Sequence, residues 1–333
     1  MPNRIRVLNT LLAGLVTSVT AGAQSPVAGT LVVTNKAPAT ATIIDVASGK
    51  TLATLPTGQG PHEIVITRDG GTAVVTDYGS QVGGSTLTVI DVPGKRVVRT
   101  ITLGEYRRPH GIVYLPGDTV VAVTCEANRA LVLVHVLRGT VIRAIATEQN
   151  GSHMVGVTGD GRRAWTGNIG SNTVTELDLE AGKALRSIAV PTQPEAINVT
   201  ADGRQVWVGS NATGVVSVVD PATGTVTPAA SGFGWPYRVL FSSDTTLVLL
   251  PDLRGETLRF VHRDTRAELH RLTLTGKAPQ GITITPDGRY AFLSYSATDQ
   301  VAVIDVAGRR VIAELAAGDT PDGVVYTTRV LSP

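Results

Sequence analysis

Cysteine occurs once in these 333 residues, at Cys125, and aromatic residues make up only 4% of the chain. A lone cysteine excludes an intramolecular disulfide and any paired Cys-x-x-Cys metal or redox site. With so few aromatics the core has to be built from Val, Ile, Leu and Thr, side chains that suit a pleated surface, so the chain reads as all-β. Several catalytic signatures are also missing: there is no Gly-x-Ser-x-Gly elbow and no phosphate-cradling glycine loop. His62-Glu63 opens a His-Glu-x-x-His pattern that fails at Ile66. The common serine-hydrolase, nucleotide-binding and zincin readings are therefore set aside.

A strong charge of either sign is lacking as well. Arg4 and Arg6 precede an apolar segment, Leu11 to Val19, and Ala21-Gly22-Ala23 stands before Gln24, which is the pattern of a secretory signal peptide spanning residues 1–23 and cleaved after Ala23. The segment is shorter than the roughly 20 apolar residues a membrane span requires, and no second one follows. Cys125 is far from that cleavage point, so a lipid anchor has no residue to carry it. Removing both arginines leaves 27 basic against 27 acidic residues, which gives no electrostatic case for nucleic acid or anionic lipid as a partner. The expected product is soluble, periplasmic or secreted, without membrane insertion, and monomeric.

What the chain does have is a repeat. The stretch Pro279 to Asp322 contains a Pro-x pair, an apolar run, a Pro-Asp-Gly turn, and then three further apolar runs. Equivalent starts fall at Pro61-His62, Pro109-His110, Ser152-His153, Pro194-Glu195, Pro236-Tyr237, Pro279-Gln280 and Pro321-Asp322, with steps of 48, 43, 42, 42, 43 and 42 residues. A period of about 40 to 45 residues suits four strands and their turns in one propeller blade. Residues 24–333 are therefore predicted to form a single seven-bladed β-propeller domain, each blade four antiparallel strands. Leu31 to Leu55 supplies three strands without a first one, and Gly323 to Thr327 a first strand with nothing after it. Pairing the two ends closes the ring and removes an open sheet edge. Asp residues at third-strand ends, such as Asp178 before Gly182, are expected to hold turn backbone.

In this register the chain resembles the YVTN family of bacterial seven-bladed propellers. The family's Pro-Asp-Gly, Tyr-Val-Thr-Asn and Val-Ile-Asp elements are matched by Pro286-Asp287-Gly288, Phe292-Leu293-Ser294-Tyr295 and Val303-Ile304-Asp305, and again by Val33-Thr34-Asn35 with Ile43-Ile44-Asp45. Val75-Thr76-Asp77 with Val89-Ile90-Asp91 is a third match. The resemblance implies the propeller fold but no one activity, because related propellers include surface-layer proteins, lactonases and binding proteins.

First strands starting at these Pro-x pairs and second strands returning to the same side place two columns around one mouth of the central channel. The first column reads His62, His110, His153, Glu195, Tyr237, Gln280 and Asp322; the second includes Asp77 and Asn168. Three of only six histidines fall in the first column. Duplication of one blade would copy a histidine without any joint role, and a histidine at a strand start can simply bond a nearby carbonyl. Against that structural reading stands a ligand site made of these nine residues and Arg108, which the longest step brings beside His110. Extra residues in that step, at Gln81 to Ser85 and at Tyr106 to Arg108, would form recognition loops on the same face. His110, His153 and Glu195 are the candidates for proton transfer; His62, His110, His153 and Glu195 are the candidates for metal ligation. No cofactor is predicted from the motifs, and a divalent metal is the one group whose donors are present. Cys125 reads as a small buried thiol, Trp165 and Trp207 as packing residues, and Trp235 as a loop aromatic able to stack on a ligand.

The leading functional reading is an exported binding scaffold for a protein or small molecule at this mouth. A lactonase-like hydrolase using the His, Glu and Asp cluster is the alternative, and a surface-layer or adhesion protein the third.

Overall fold

Second and third strands of this protein are buried at most positions, because each blade is sandwiched between two others and both its faces are covered. In the computed structural model, which describes residues 25–332, Thr30–Asn35 is buried at all six positions. Its side chains alternate between two cores, as strand geometry requires: Leu31 and Val33 pack toward the sixth blade with Phe292 and Val303, while Val32 packs toward the first with Ile64 and Val75. The predicted signal peptide, residues 1–23, lies outside the described residues.

Seven four-stranded antiparallel sheets form the ring. The sixth blade is the regular one: Pro279–Ile284, Tyr290–Tyr295, Gln300–Asp305 and Arg310–Ala316. Closure occurs as expected. Pro321–Thr327 is the inner strand of the seventh blade and pairs with Thr30–Asn35 through Thr30↔Thr327, Val32↔Val325 and Asn35↔Pro321. Seven hydrophobic cores fill the seven interfaces between neighbouring blades, so the ring has no open joint. Among the described residues no helix is long and apolar enough to cross a membrane.

The turns follow the sequence closely. Asp45, Asp91, Asp178 and Asp305 accept backbone N–H bonds from Ser48, Gly94, Ala181 and Gly308. His135 and His262 occupy the same position in their blades and do the same through Nδ1. In the Pro-Asp-Gly turn, Thr285 Oγ1 and the Arg289 N–H both reach Asp287 Oδ1, and Gly288 takes a φ of +71°. The fifth blade is irregular: its first strand is reduced to Leu240–Phe241, with an isolated bridge from Pro236 to Asp252. That irregularity frees Trp235 to Arg238 to adopt their own conformation at the channel.

Candidate functional site

Inner strands approach one another closely at the predicted mouth, for two reasons visible in the sequence. Small residues follow the first column: a Cβ built on Gly111 would fall 2.8 Å from the His153 carbonyl oxygen, and one on Gly323 2.6 Å from that of His62. A threonine near the end of the second strand, in Val33-Thr34-Asn35 and Val123-Thr124-Cys125, then ties blades together. Thr124 Oγ1 donates to the His153 carbonyl at 2.5 Å, and Thr34 Oγ1 to the His62 carbonyl at 3.0 Å. The backbone of each flanking histidine is thus fixed by the blade before it.

The three histidines meet as a tilted stack, with interplanar angles of 48° and 30°. Ring centroids of His62 and His110 are 4.2 Å apart, and those of His110 and His153 are 3.7 Å apart. His62 Nδ1 lies 2.5 Å from Asp322 Oδ2, and His153 Nδ1 bonds Glu126 Oε1. His153 Nε2 faces Glu195 Oε1 at 3.8 Å. His110, between them, is 1% exposed and has no hydrogen-bond partner on either ring nitrogen. An unpaired buried polar group costs on the order of 1–3 kcal/mol, so this ring is held at some expense.

The remaining first-column residues join the same network. Tyr237 donates to Asp322 Oδ1 at 3.1 Å, and Lys36 Nζ stands 2.9 Å from Asp322 Oδ2 and 3.4 Å from Gln280 Oε1. Glu195 Oε2 accepts from Trp235 Nε1 at 2.8 Å and from Asn211 Nδ2. Arg238 reaches Glu63, and its guanidinium carbon sits 4.0 Å from the Tyr237 ring centroid. Tyr78 stands edge-on to both His62 and His110 and donates to Glu126 Oε2 at 2.8 Å. Arg108 covers the outer side of Tyr78, its guanidinium carbon 4.9 Å from the ring centroid.

Electrostatics separate the three imidazoles. Burial lowers His62, more than offsetting the pull of Asp322. It lowers His110 much further, helped by the neighbouring His153 and His62. Burial also opposes the charged form of His153, but the Glu126 and Glu195 carboxylates overcome it and raise this ring to about 9. Burial pushes Glu195 up, and His153 and Arg238 outweigh it and bring it below the usual carboxylate range. Asp322 is likewise pushed up by burial, then held far lower by Lys36 and His62. Tyr78, buried and beside Glu126, is pushed up to about 12 and stays a hydrogen-bond donor at neutral pH.

Two residues of the second column do not face the mouth. Asp77 is 1% exposed, and its carboxylate accepts from the Gly58 N–H and the Thr86 and Thr88 hydroxyls within its own blade. Asn168 is fully buried and bonds Thr173 and Thr175 in the same way. The expectation that they line the ligand site is corrected: they are hairpin braces. The mouth-facing position is one residue later, at Lys36, Tyr78, Glu126 and Asn211, and sequence reasoning missed all four. Reading the column after Asn35, Asp77, Cys125 and Ser210 would have found them. Glu63 and Arg238 were missed too, although opposite charges in a column otherwise made of Gly, Ala and Met were a signal. Cys125 is fully buried, its thiol pushed up to about 12 by burial, and Trp165 and Trp207 are core residues. At the other end of the channel an apolar cavity of about 360 Å³ is lined by Val65, Val113, Val157 and Val325 among others.

Comparison with known proteins adds the fold alone. No protein-family model matches the chain. No curated protein matches it either. Among solved structures it is similar to Kuenenia stuttgartiensis hydrazine synthase, at 16% identity with a TM-score of 0.65, covering 79% of this chain and 88% of that one. A functionally unknown protein from Desulfotomaculum acetoxidans is similar at 14% identity with a TM-score of 0.73, covering 90% and 98%. Both likenesses support the seven-bladed β-propeller.

Proposed function

We propose that this chain is an exported propeller of the YVTN type that binds a small polar ligand at the histidine-lined mouth of its channel. On this reading residues 1–23 direct export to the periplasm or beyond, and residues 24–333 act as one monomeric domain. The observation that carries the proposal is the set of polar side chains joined by hydrogen bonds, ion pairs and ring contacts at the mouth, to which every blade contributes at least one side chain. Propeller folding alone does not require stacked histidines or an unpartnered buried imidazole. The set stays open to solvent, with the side chains of His62 and His153 17% and 13% exposed. A calorimetric and thermal-shift panel of sugars, amines, hydroxy acids and metal salts tests it. A ligand recognised by wild type and lost in His153→Gln and Lys36→Met is expected. A panel with no response, or one indifferent to both substitutions, would overturn the reading.

A hydrolase acting on lactones is the second reading, favoured by one observation: adjacent imidazoles 3.7 Å apart are driven in opposite directions, His110 down and His153 up. Groups pushed apart in this way suit a base and an acid. Turnover of sugar or acyl lactones, abolished in His110→Ala, would support it; no turnover on that panel removes it.

A further inference from the structure

The three-imidazole stack is bounded by carboxylates on both sides. Asp322 Oδ2 lies 2.5 Å from His62 Nδ1, and Glu126 bonds Nδ1 of His153. Carboxylates in that role fix the orientation of metal-binding histidines and raise their basicity. Between them His110 is 1% exposed with both nitrogens unpartnered, and His153 Nε2 is unpartnered too. Ligand atoms of His62, Glu63 and His110 lie within 4.8 Å of one another, and so do those of His110, Glu126 and His153. Four carboxylates, Glu63, Glu126, Glu195 and Asp322, stand against Lys36 and Arg238 in the network, with His153 between Glu126 and Glu195.

We infer that the mouth binds one divalent first-row transition-metal ion of the zinc, copper or nickel class through His110 and His153, with the Glu126 carboxylate completing the cluster. Imidazole nitrogens with carboxylate support suit these ions better than magnesium or calcium, which take all-oxygen shells.

This inference rests on the binding reading above and names its ligand. The test uses the mature protein, stripped with chelator, checked for folding by circular dichroism, and titrated calorimetrically with Zn²⁺, Cu²⁺ and Ni²⁺. One ion per chain is expected, with affinity lowered at least 100-fold in His110→Ala and unchanged in His135→Ala, whose histidine holds an outer turn. Should His110→Ala misfold, Glu126→Gln replaces it, and a tenfold or greater loss is expected. A cobalt-substituted sample should show visible bands that His110→Ala lacks. Equal weak binding by wild type and variants would overturn the metal inference. If an organic ligand still binds in a His153-dependent way, that result removes the metal and leaves the binding site; if neither binds, both readings fall.

Discussion

Arg238 of the fifth blade and Glu63 of the first join across the central channel, although two blades separate them on one side of the ring and three on the other. Their partners tie the pair into the mouth: Arg238 also donates to the Tyr237 carbonyl at 2.7 Å, and Glu63 lies 3.9 Å from His62 Nδ1. Arg238 is 7% exposed. Burial disfavours the charge of its guanidinium, but the carboxylates of Glu63, Asp322 and Glu195 overcome this and hold it firmly protonated. The pair acts as a spoke that fixes the diameter of the mouth on which the histidine stack depends.

Removing one end of this spoke leaves a buried charge without its counterion. Arg238→Met and Glu63→Gln are each expected to lose about 3–5 kcal/mol in urea denaturation. The double substitution Glu63→Met with Arg238→Met should lose clearly less than the sum. Single losses below about 1 kcal/mol would show that the spoke is not a structural element.

Asp77 predicts a pH effect with a definite sign. Burial raises its folded value from 3.8 to about 6, against the pull of Thr86, Thr88 and the Gly58 N–H. A carboxyl raised on folding contributes stability fully below its unfolded value and loses it as pH climbs through about 6. Between pH 4 and pH 8 the loss is on the order of 3 kcal/mol. Asn35 occupies the same place in the seventh blade, with Nδ2 donating to Thr40 and Thr42 and Oδ1 accepting from Gly318. Asp77→Asn should therefore match wild type near pH 4 and melt higher at pH 8. A variant that melts lower at pH 8 contradicts the assignment.

The same substitution at the equivalent position of the fifth blade should do the opposite. Asp252 accepts three backbone N–H groups, from Trp235 at 2.7 Å, Gly255 at 2.9 Å and Gly234 at 3.0 Å. An amide has one accepting oxygen where the carboxylate has two, so Asp252→Asn turns an N–H against an N–H. A loss of about 1–3 kcal/mol is expected, measured by denaturation at pH 7. It should also loosen Trp235, visible as a change in tryptophan fluorescence. Stability equal to wild type would refute this account.

Ring closure depends on one strand. Deleting residues 321–333 removes Pro321–Thr327, which carries Val324 and Val325 into two different interface cores and Asp322 into the mouth. A collapse of the cooperative thermal transition is expected. An unchanged melting temperature would mean that the seventh blade contributes little to the ring.

The repeat period, the four apolar runs and the unmatched ends determined the blade count, the closure and the turn roles of Asp45, Asp178 and Asp305. Those features are local or periodic, so strand alternation and turn chemistry express them directly. The histidine column was also legible, because one residue per period must fall at one place on a ring. Tertiary structure alone decided that His62, His110 and His153 stack, that Glu126 rather than a residue of the first column bonds His153, and that Arg238 crosses to Glu63. Side-chain direction at a strand end turns on a single residue of register, and contact across a channel turns on blade tilt and on the small side chains beside it. Neither is written in the spacing of a single chain.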